Sequence, residues 1–246
     1  VNGNSTLPLD PQWYRDEAMG LPPLEENQPT IPSNFSTRAR NTMRNGFAAA
    51  MLRPLFPFYR THRPHSFLME SLSWARKLMM RNRDLEQSAQ AWAKVEGKRY
   101  FTLPLQLNSD YQLRVHSPFG NMRAALRFVI KSFAHHAPAD VLLVIKQHPL
   151  DSGLVAWGRL IRRLAKDYGV ADRIHYLSDW DIAAVVKNAI GVVTVNSTVG
   201  TLALNSGKPV LVLGHAVYKI PGIVSVKGLD AFWTNPSPPD MALYSA

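Results

Sequence analysis

The 246-residue sequence contains no cysteine, which excludes a disulfide scaffold and a thiolate metal site. It has no run of about 18 apolar residues, and no basic segment followed by an apolar stretch opens it, so neither a membrane span nor a signal peptide is expected. Cytoplasm is the default compartment. Walker, GxGxxG, HExxH and GxSxG patterns are all missing, which disfavours the NAD, ATP, zinc-protease and serine-hydrolase classes that use them. Nucleic acid is disfavoured too, because no RRM, KH, zinc-finger or helix-turn-helix signature is present. Acidic residues are scarce, 18 against 28 Lys and Arg. What is present, 46% hydrophobic residues with 10% aromatics, suffices for one large α/β domain or one domain with an elaborated arm.

The excess positive charge is local. Residues 38–99 hold 13 Lys and Arg against 4 Asp and Glu, a net +9, leaving the rest of the chain nearly neutral. Within it, Phe47, Met51, Leu52 and Leu55 stand near helical spacing beside Arg38, Arg40, Arg44 and Arg53, followed by Phe56, Phe58 and Tyr59. The pattern suits an element that lies on an anionic membrane surface; the alternative is a helix packed on its own domain with a solvated basic face. Residues 1–36, rich in proline, read as extended and looped chain. The opening VNGNSTLPLDP, starting at Val1, leads us to expect a sequence that begins inside a longer protein, after a missing domain.

Helices are expected at 37–53 and 65–96, and the division expected is 1–99 as an extended and helical connecting region and 100–246 as a Rossmann-like domain. Apolar runs predict strands at 100–106, 141–147, 173–177, 191–195 and 209–213, with helices at 119–136, 154–168, 180–189 and 198–206 between them. Five such units make a parallel sheet covered on both faces.

Ligands of open parallel sheets bind at the carboxyl ends of the strands. The loops there carry Gln106 and Asp110, then Lys146, Gln147, His148, Pro149 and Asp151, then Ser178, Asp179 and Asp181, then Asn196, Ser197, Thr198 and Gly200, and finally His215, Tyr218, Pro221 and Gly222. The NSTVG segment brings hydroxyls, backbone N–H groups and a helix N-terminus together, which suits a phosphate, and Gly200 permits close approach. The same residue types also serve as a plain helix cap. His148, held by Pro149, can donate to a phosphate or carboxylate, or be hydrogen-bonded within its loop. Asp110 can act as a nucleophile or general base, or cap a turn. The Asp-Trp-Asp at 179–181 is formally a metal motif, but Asp179 suits an N-cap and no metal is expected.

The ordered segments LPLQLNSDYQL, SPFGNM, KQHPLDSG, GVVTVNSTVGTLAL, GKPVLVLGHAVYKIPGI and LDAFW resemble the capsule polysaccharide biosynthesis and export family, the KpsS/KpsC-type Kdo transferases of Gram-negative bacteria. The resemblance covers nearly the whole chain, most firmly 100–235. It implies a membrane-associated glycosyltransferase, peripheral to the inner membrane on its cytoplasmic side, that uses CMP-β-Kdo to build a β-Kdo linker on a phosphatidylglycerol-type lipid. The implied fold is the donor-binding half of a GT-B-like enzyme. Implied partners are CMP-Kdo, the lipid acceptor, the anionic inner-membrane surface and other capsule synthesis and export proteins; no cofactor is implied, CMP-Kdo being the donor substrate.

Carried over by motif, His148 and Pro149 match the HP pair that contacts the donor nucleotide, and Ser197 and Thr198 would hold the CMP phosphate. Gln106 and Asp110 match a Q-x-x-x-D segment beside the sugar, which makes Asp110 the candidate nucleophile of a retaining reaction. His148 joins it as the second catalytic candidate. Lys146, Asn196, Gly200 and Tyr218 complete the expected nucleotide-sugar site. Tyr218, Pro221 and Gly222 belong to an A-x-Y-x-x-P-G loop that would close over it, and His215 and Lys219 depart from the family's usual residues there. Two other readings share this sheet and phosphate loop: a nucleotide-sugar epimerase, and a non-catalytic capsule-export accessory protein.

Overall fold

A computed structural model describes residues 35–52, 55–56, 67–108 and 110–244. The expectation of looped chain over 1–36 falls almost wholly outside these residues, as do Arg53, Phe58 and Tyr59 of the basic stretch. Helix α1 (Phe35–Leu52) and the long α2 (Phe67–Ala93) precede the sheet. Strands β1 (Tyr100–Pro104), β2 (Leu142–Lys146), β3 (Ile174–Leu177), β4 (Gly191–Thr194) and β5 (Val210–Val212) follow, each within two residues of the expected bounds. Between them lie α3 (Tyr111–Val115), α4 (Met122–His136), α5 (Trp157–Asp167), α6 (Ile182–Asn188) and α7 (Val199–Asn205); α8 (Leu229–Phe232) and α9 (Met241–Tyr244) come last. Neither α3 nor the two last helices was expected.

The five strands are all parallel and run in the order β3-β2-β1-β4-β5, with Tyr100 opposite Leu142 and Phe101 opposite Gly191. Strand order therefore reverses between β1 and β4, which opens a crevice at their carboxyl ends. Burial on both faces explains the uninterrupted apolar runs. Alternate residues of the same strand serve opposite layers. Phe101, Leu103, Leu143, Ile145 and Val193 pack with α4, α5 and α8 around Phe133, Trp157, Phe232 and Trp233. Tyr100, Leu142 and Val144 face Val185 and Ala189 on the other side, beside a satellite cluster of Val192, Val210 and Val212 with Ala203 and Leu204.

α4 is built for this role. Its buried Met122, Ala125, Leu126, Val129, Ile130 and Phe133 recur at helical spacing, and the Asn121 side chain accepts from Ala124 N to start it. Phe101 packs edge-on against Trp233, and truncating Phe101 to Ala is expected to destabilise the fold by about 3–5 kcal/mol. Gly191 is required by that packing, since a Cβ there would lie 2.9 Å from atoms of both Phe101 and Phe232.

Candidate functional site

Three neighbouring strands, β2, β1 and β4, end side by side around the switch point. With parallel strands spaced by about 4.8 Å, the ends of β2 and β4 are roughly 10 Å apart, with the β1 loop between them. The loops bearing His148 and Ser197 are thus not immediate neighbours. They flank the loop bearing Gln106 and Asp110.

Gln106 is buried just past β1, and its amide bonds Asn196, just past β4, through both its nitrogen and its oxygen. Gln106 Nε2 donates to Asn196 Oδ1 at 2.7 Å, and Asn196 N donates to Gln106 Oε1 at 3.1 Å. Asn196 Nδ2 reaches on to the carbonyls of Gln112 and His116, at 2.8 and 3.3 Å. These two residues form a bracket that fixes the β1 and β4 loops against α3. Asp110 is the N-cap of α3, its Oδ1 accepting from Gln112 N at 3.0 Å. That leaves Oδ2 as the oxygen available for chemistry.

In the β2 loop, Leu150 N donates to His148 Nδ1 at 3.0 Å, so the neutral ring carries its proton on Nε2. Pro149 between them has no N–H, and Leu150 is the first residue able to make this bond. Burial pushes the His148 imidazole below its ordinary value, against the pull of Asp151. Asp151 is buried and shapes the loop from within, accepting from Gly153 N at 2.8 Å and Trp157 Nε1 at 2.7 Å. Lys146, the last residue of β2, is also buried. Its Nζ donates to Gln147 O at 2.8 Å, and burial lowers its amine to about 8.

The β4 loop differs from expectation in one respect that matters. Its amides are largely engaged: Ser197 N donates to Thr194 Oγ1, Val199 N to Ser197 Oγ and Gly200 N to Ser197 O. Ser197 is the capping hydroxyl. Thr198 occupies the N-cap position without a side-chain cap bond and is exposed, so its hydroxyl is the polar group presented outward. The group that closely approaches Gly200 is Tyr218, whose ring edge and Oη fill the space that a Cβ at Gly200 would need. The Tyr218 hydroxyl donates to Ser197 O, and burial pushes its pKa upward. Tyr218 is pinned to the β4 turn, while Pro221 and Gly222 farther along are exposed. Asp179 is no helix cap: Asp181 caps α6 by accepting from Ala183 N and Ala184 N, because it is the residue directly before the helix.

The sequence reading missed the contribution of α2. Ser73 Oγ donates to Ser152 O at 2.7 Å, and Lys77 Nζ donates to Asp151 O at 2.6 Å and Pro149 O at 3.2 Å. Farther along, Ser88 Oγ accepts from Ser178 N at 3.1 Å and Asp179 N at 3.3 Å. Positions 73, 77, 81, 84 and 88 fall on one helical stripe, a spacing that was visible in the sequence. A polar stripe is ordinarily the solvated one, and here it holds the β2 and β3 loops.

Over residues 1–246 the chain matches the family model described as capsule polysaccharide biosynthesis protein. The chain belongs to this capsule polysaccharide biosynthesis family. Among relatives, the capsule polysaccharide modification protein LipB of Neisseria meningitidis serogroup A is 34% identical over 253 residues, spanning 100% of this chain and 60% of LipB. The capsule polysaccharide export protein KpsS of Escherichia coli is 34% identical over 248 residues, spanning 99% of this chain and 63% of KpsS. This capsule family chain thus spans about 60% of the length of these relatives. A solved structure, Thermosulfurimonas dismutans KpsC, a beta Kdo 2,7 transferase, aligns with a TM-score of 0.40 and 20% identity over 62% of this chain and 50% of that one.

Proposed function

We propose that residues 100–246 form the donor-binding half of a retaining glycosyltransferase that takes Kdo from CMP-β-Kdo and places it on a phosphatidylglycerol-type lipid. The reading is supported by membership of the capsule family and, above all, by one arrangement. A neutral His148 and the exposed Thr198 flank the switch-point loop that carries Asp110. His148 Nε2–H and the Thr198 hydroxyl would donate to the CMP phosphate, where charge grows as the glycosidic bond breaks. Gln106 and Asn196, engaged with each other, would position these loops rather than touch the sugar.

In the first step Asp110 Oδ2 attacks the anomeric carbon while the bond to the phosphate oxygen breaks, and CMP leaves with that electron pair. In the second, an acceptor hydroxyl attacks the same carbon, gives its proton to solvent or a base, and releases the Asp110 carboxylate. Two inversions give net retention. In the full-length protein, Asp110→Asn is expected to keep CMP binding and lose most turnover in a Kdo transfer assay. Near wild-type transfer would reduce Asp110 to the helix cap it visibly is. The names of the relatives as modification and export proteins favour one second reading, an accessory role without transfer. CMP binding with no transfer under any acceptor would select it.

The finer localisation rests on the basic segment. Arg40, Arg44, Phe47 and Met51 are exposed on α1, and Leu55 and Phe56 just beyond it are exposed too. Among the described residues no helix is long and apolar enough to cross a membrane. We take this face to rest on an anionic membrane, where each cation adds at most about 1 kcal/mol and salt weakens attachment. Cosedimentation should show binding to phosphatidylglycerol vesicles that falls when Arg40, Arg44 and Arg53 become Gln. Equal binding to neutral vesicles would contradict it.

A further inference from the structure

We propose that α2 is a working part of the donor site, with Lys77 as the positioning residue that sets the His148 loop. The inference rests on the reading of that loop as nucleotide-binding for its functional half, and on geometry alone for its structural half.

The loop from His148 to Gly153 must leave the end of β2, turn sharply and deliver Trp157 into the core. Within it, Asp151 N donates to His148 O, Leu150 N to His148 Nδ1, and Gly153 N to Asp151 Oδ1. These bonds close small rings, and they leave the carbonyls of Pro149, Asp151 and Ser152 pointing outward. All three are taken by α2: Lys77 bonds the first two and Ser73, one turn earlier, the third. A lysine ammonium has three donors on one point, so it can draw two carbonyls of a tight turn together in a way that no single hydroxyl can. The contact spans more than 70 residues of sequence. It therefore fixes the turn in place relative to the sheet as well as in shape.

Lys77 is suited to hold a loop rather than a ligand. Lys77 is half-buried, burial lowers its pKa, and the Asp151, Asp179 and Asp84 carboxylates pull the other way. It also sits 5.3 Å from the centroid of the Trp74 ring, and Trp74 is itself in the core. The stripe continues to Ser88, which holds the β3 loop through Ser178 N and Asp179 N. A single rigid helix thus braces two of the loops that ring the crevice. Leu72 and Met79 of the same helix lie off this stripe and are exposed.

The test is hydrogen exchange and CMP titration on the full-length protein carrying Lys77→Met, Lys77→Gln or Lys77→Arg. Because hydrogen bonds to charged groups are among the stronger ones, Lys77→Met should speed exchange at Leu150, Asp151 and Gly153 by about tenfold or more, leaving Val144 and Val193 protected. CMP affinity should fall by a similar factor, and Lys77→Arg, which keeps charge and donors, should restore both. If Lys77→Met loosens the strands as well, Lys77→Gln, which retains a donor, must show the loop effect alone. Loop amides as protected in Lys77→Met and Lys77→Gln as in the wild type would overturn the proposal, as would Lys77→Arg behaving like Lys77→Met. If the loop loosens as expected in a protein that never bound CMP, the bracing role stands and the nucleotide reading falls.

Discussion

Gln106 and Asn196 hold each other across the seam between β1 and β4, through hydrogen bonds of 2.7 and 3.1 Å. The seam is where strand order reverses, so the two loops that must bracket a ligand are joined by a pair of amides at its base. Removing Asn196 leaves the buried Gln106 amide without these partners, and removing Gln106 leaves the half-buried Asn196 N and Oδ1 without theirs, each an effect of about 1–3 kcal/mol. Gln106→Ala and Asn196→Ala should each lower the unfolding free energy by that order. The double variant should fall well short of the sum, by more than about 0.5 kcal/mol in a double-mutant cycle. Strict additivity would mean that the pair does not act as a unit.

Lys146 gives a pH signature. Its folded-state pKa of about 8 lies below the ordinary 10.5, so between those values the unfolded chain holds a proton that the folded chain has lost. Its contribution to stability therefore rises with pH from about 8 to 10.5 and is flat below that window, where the buried charge carries a penalty on the order of 3 kcal/mol. Chemical denaturation from pH 7 to 10.5 should show this rise in the wild type and its loss in Lys146→Met. At pH 7 the substitution removes the penalty but leaves Gln147 O without its donor, so the net change in stability there should be small. A wild-type profile no steeper than that of Lys146→Met would contradict the assignment.

Gly200 and Tyr218 are mutually fitted. A methyl at Gly200 would overlap the Tyr218 hydroxyl, which must then leave Ser197 O. Gly200→Ala should destabilise by about 1–3 kcal/mol, the usual range for overpacking. The second substitution Tyr218→Ala should add little to it. Amide NMR of Ser197 and Thr198 should show the turn disturbed in both single variants. An undisturbed Gly200→Ala turn would mean that Tyr218 does not brace it.

The sheet was legible because a strand buried on both faces has to be an apolar run, and YFTLP, VLLVIK and GVVTV are little else. The candidate edge was legible for the same reason, since polar residues cluster where such runs stop. What the sequence could not show is how those polar groups are partitioned. Ser, Thr, Asp and Asn serve caps and ligands alike, so Ser197 caps while Thr198 beside it does not, and Asp181 rather than Asp179 starts α6. Short α3 was hidden because QLNSDYQL has too few apolar positions to display a period. The bracing role of α2 was hidden for a different reason. Ser73, Lys77 and Ser88 have the spacing of a helix face, but nothing in a single sequence distinguishes a polar face turned to water from one turned to loop carbonyls and amides.

The most direct test of the central claim is a calorimetric titration of the full-length protein with CMP, comparing wild type, His148→Ala and Thr198→Ala. Both side chains are proposed to donate to one charged phosphate, so each substitution should weaken binding by about ten- to a hundredfold with the fold intact by circular dichroism. A wild type that binds CMP with the same affinity as both variants would contradict the assignment of the nucleotide to this edge of the sheet.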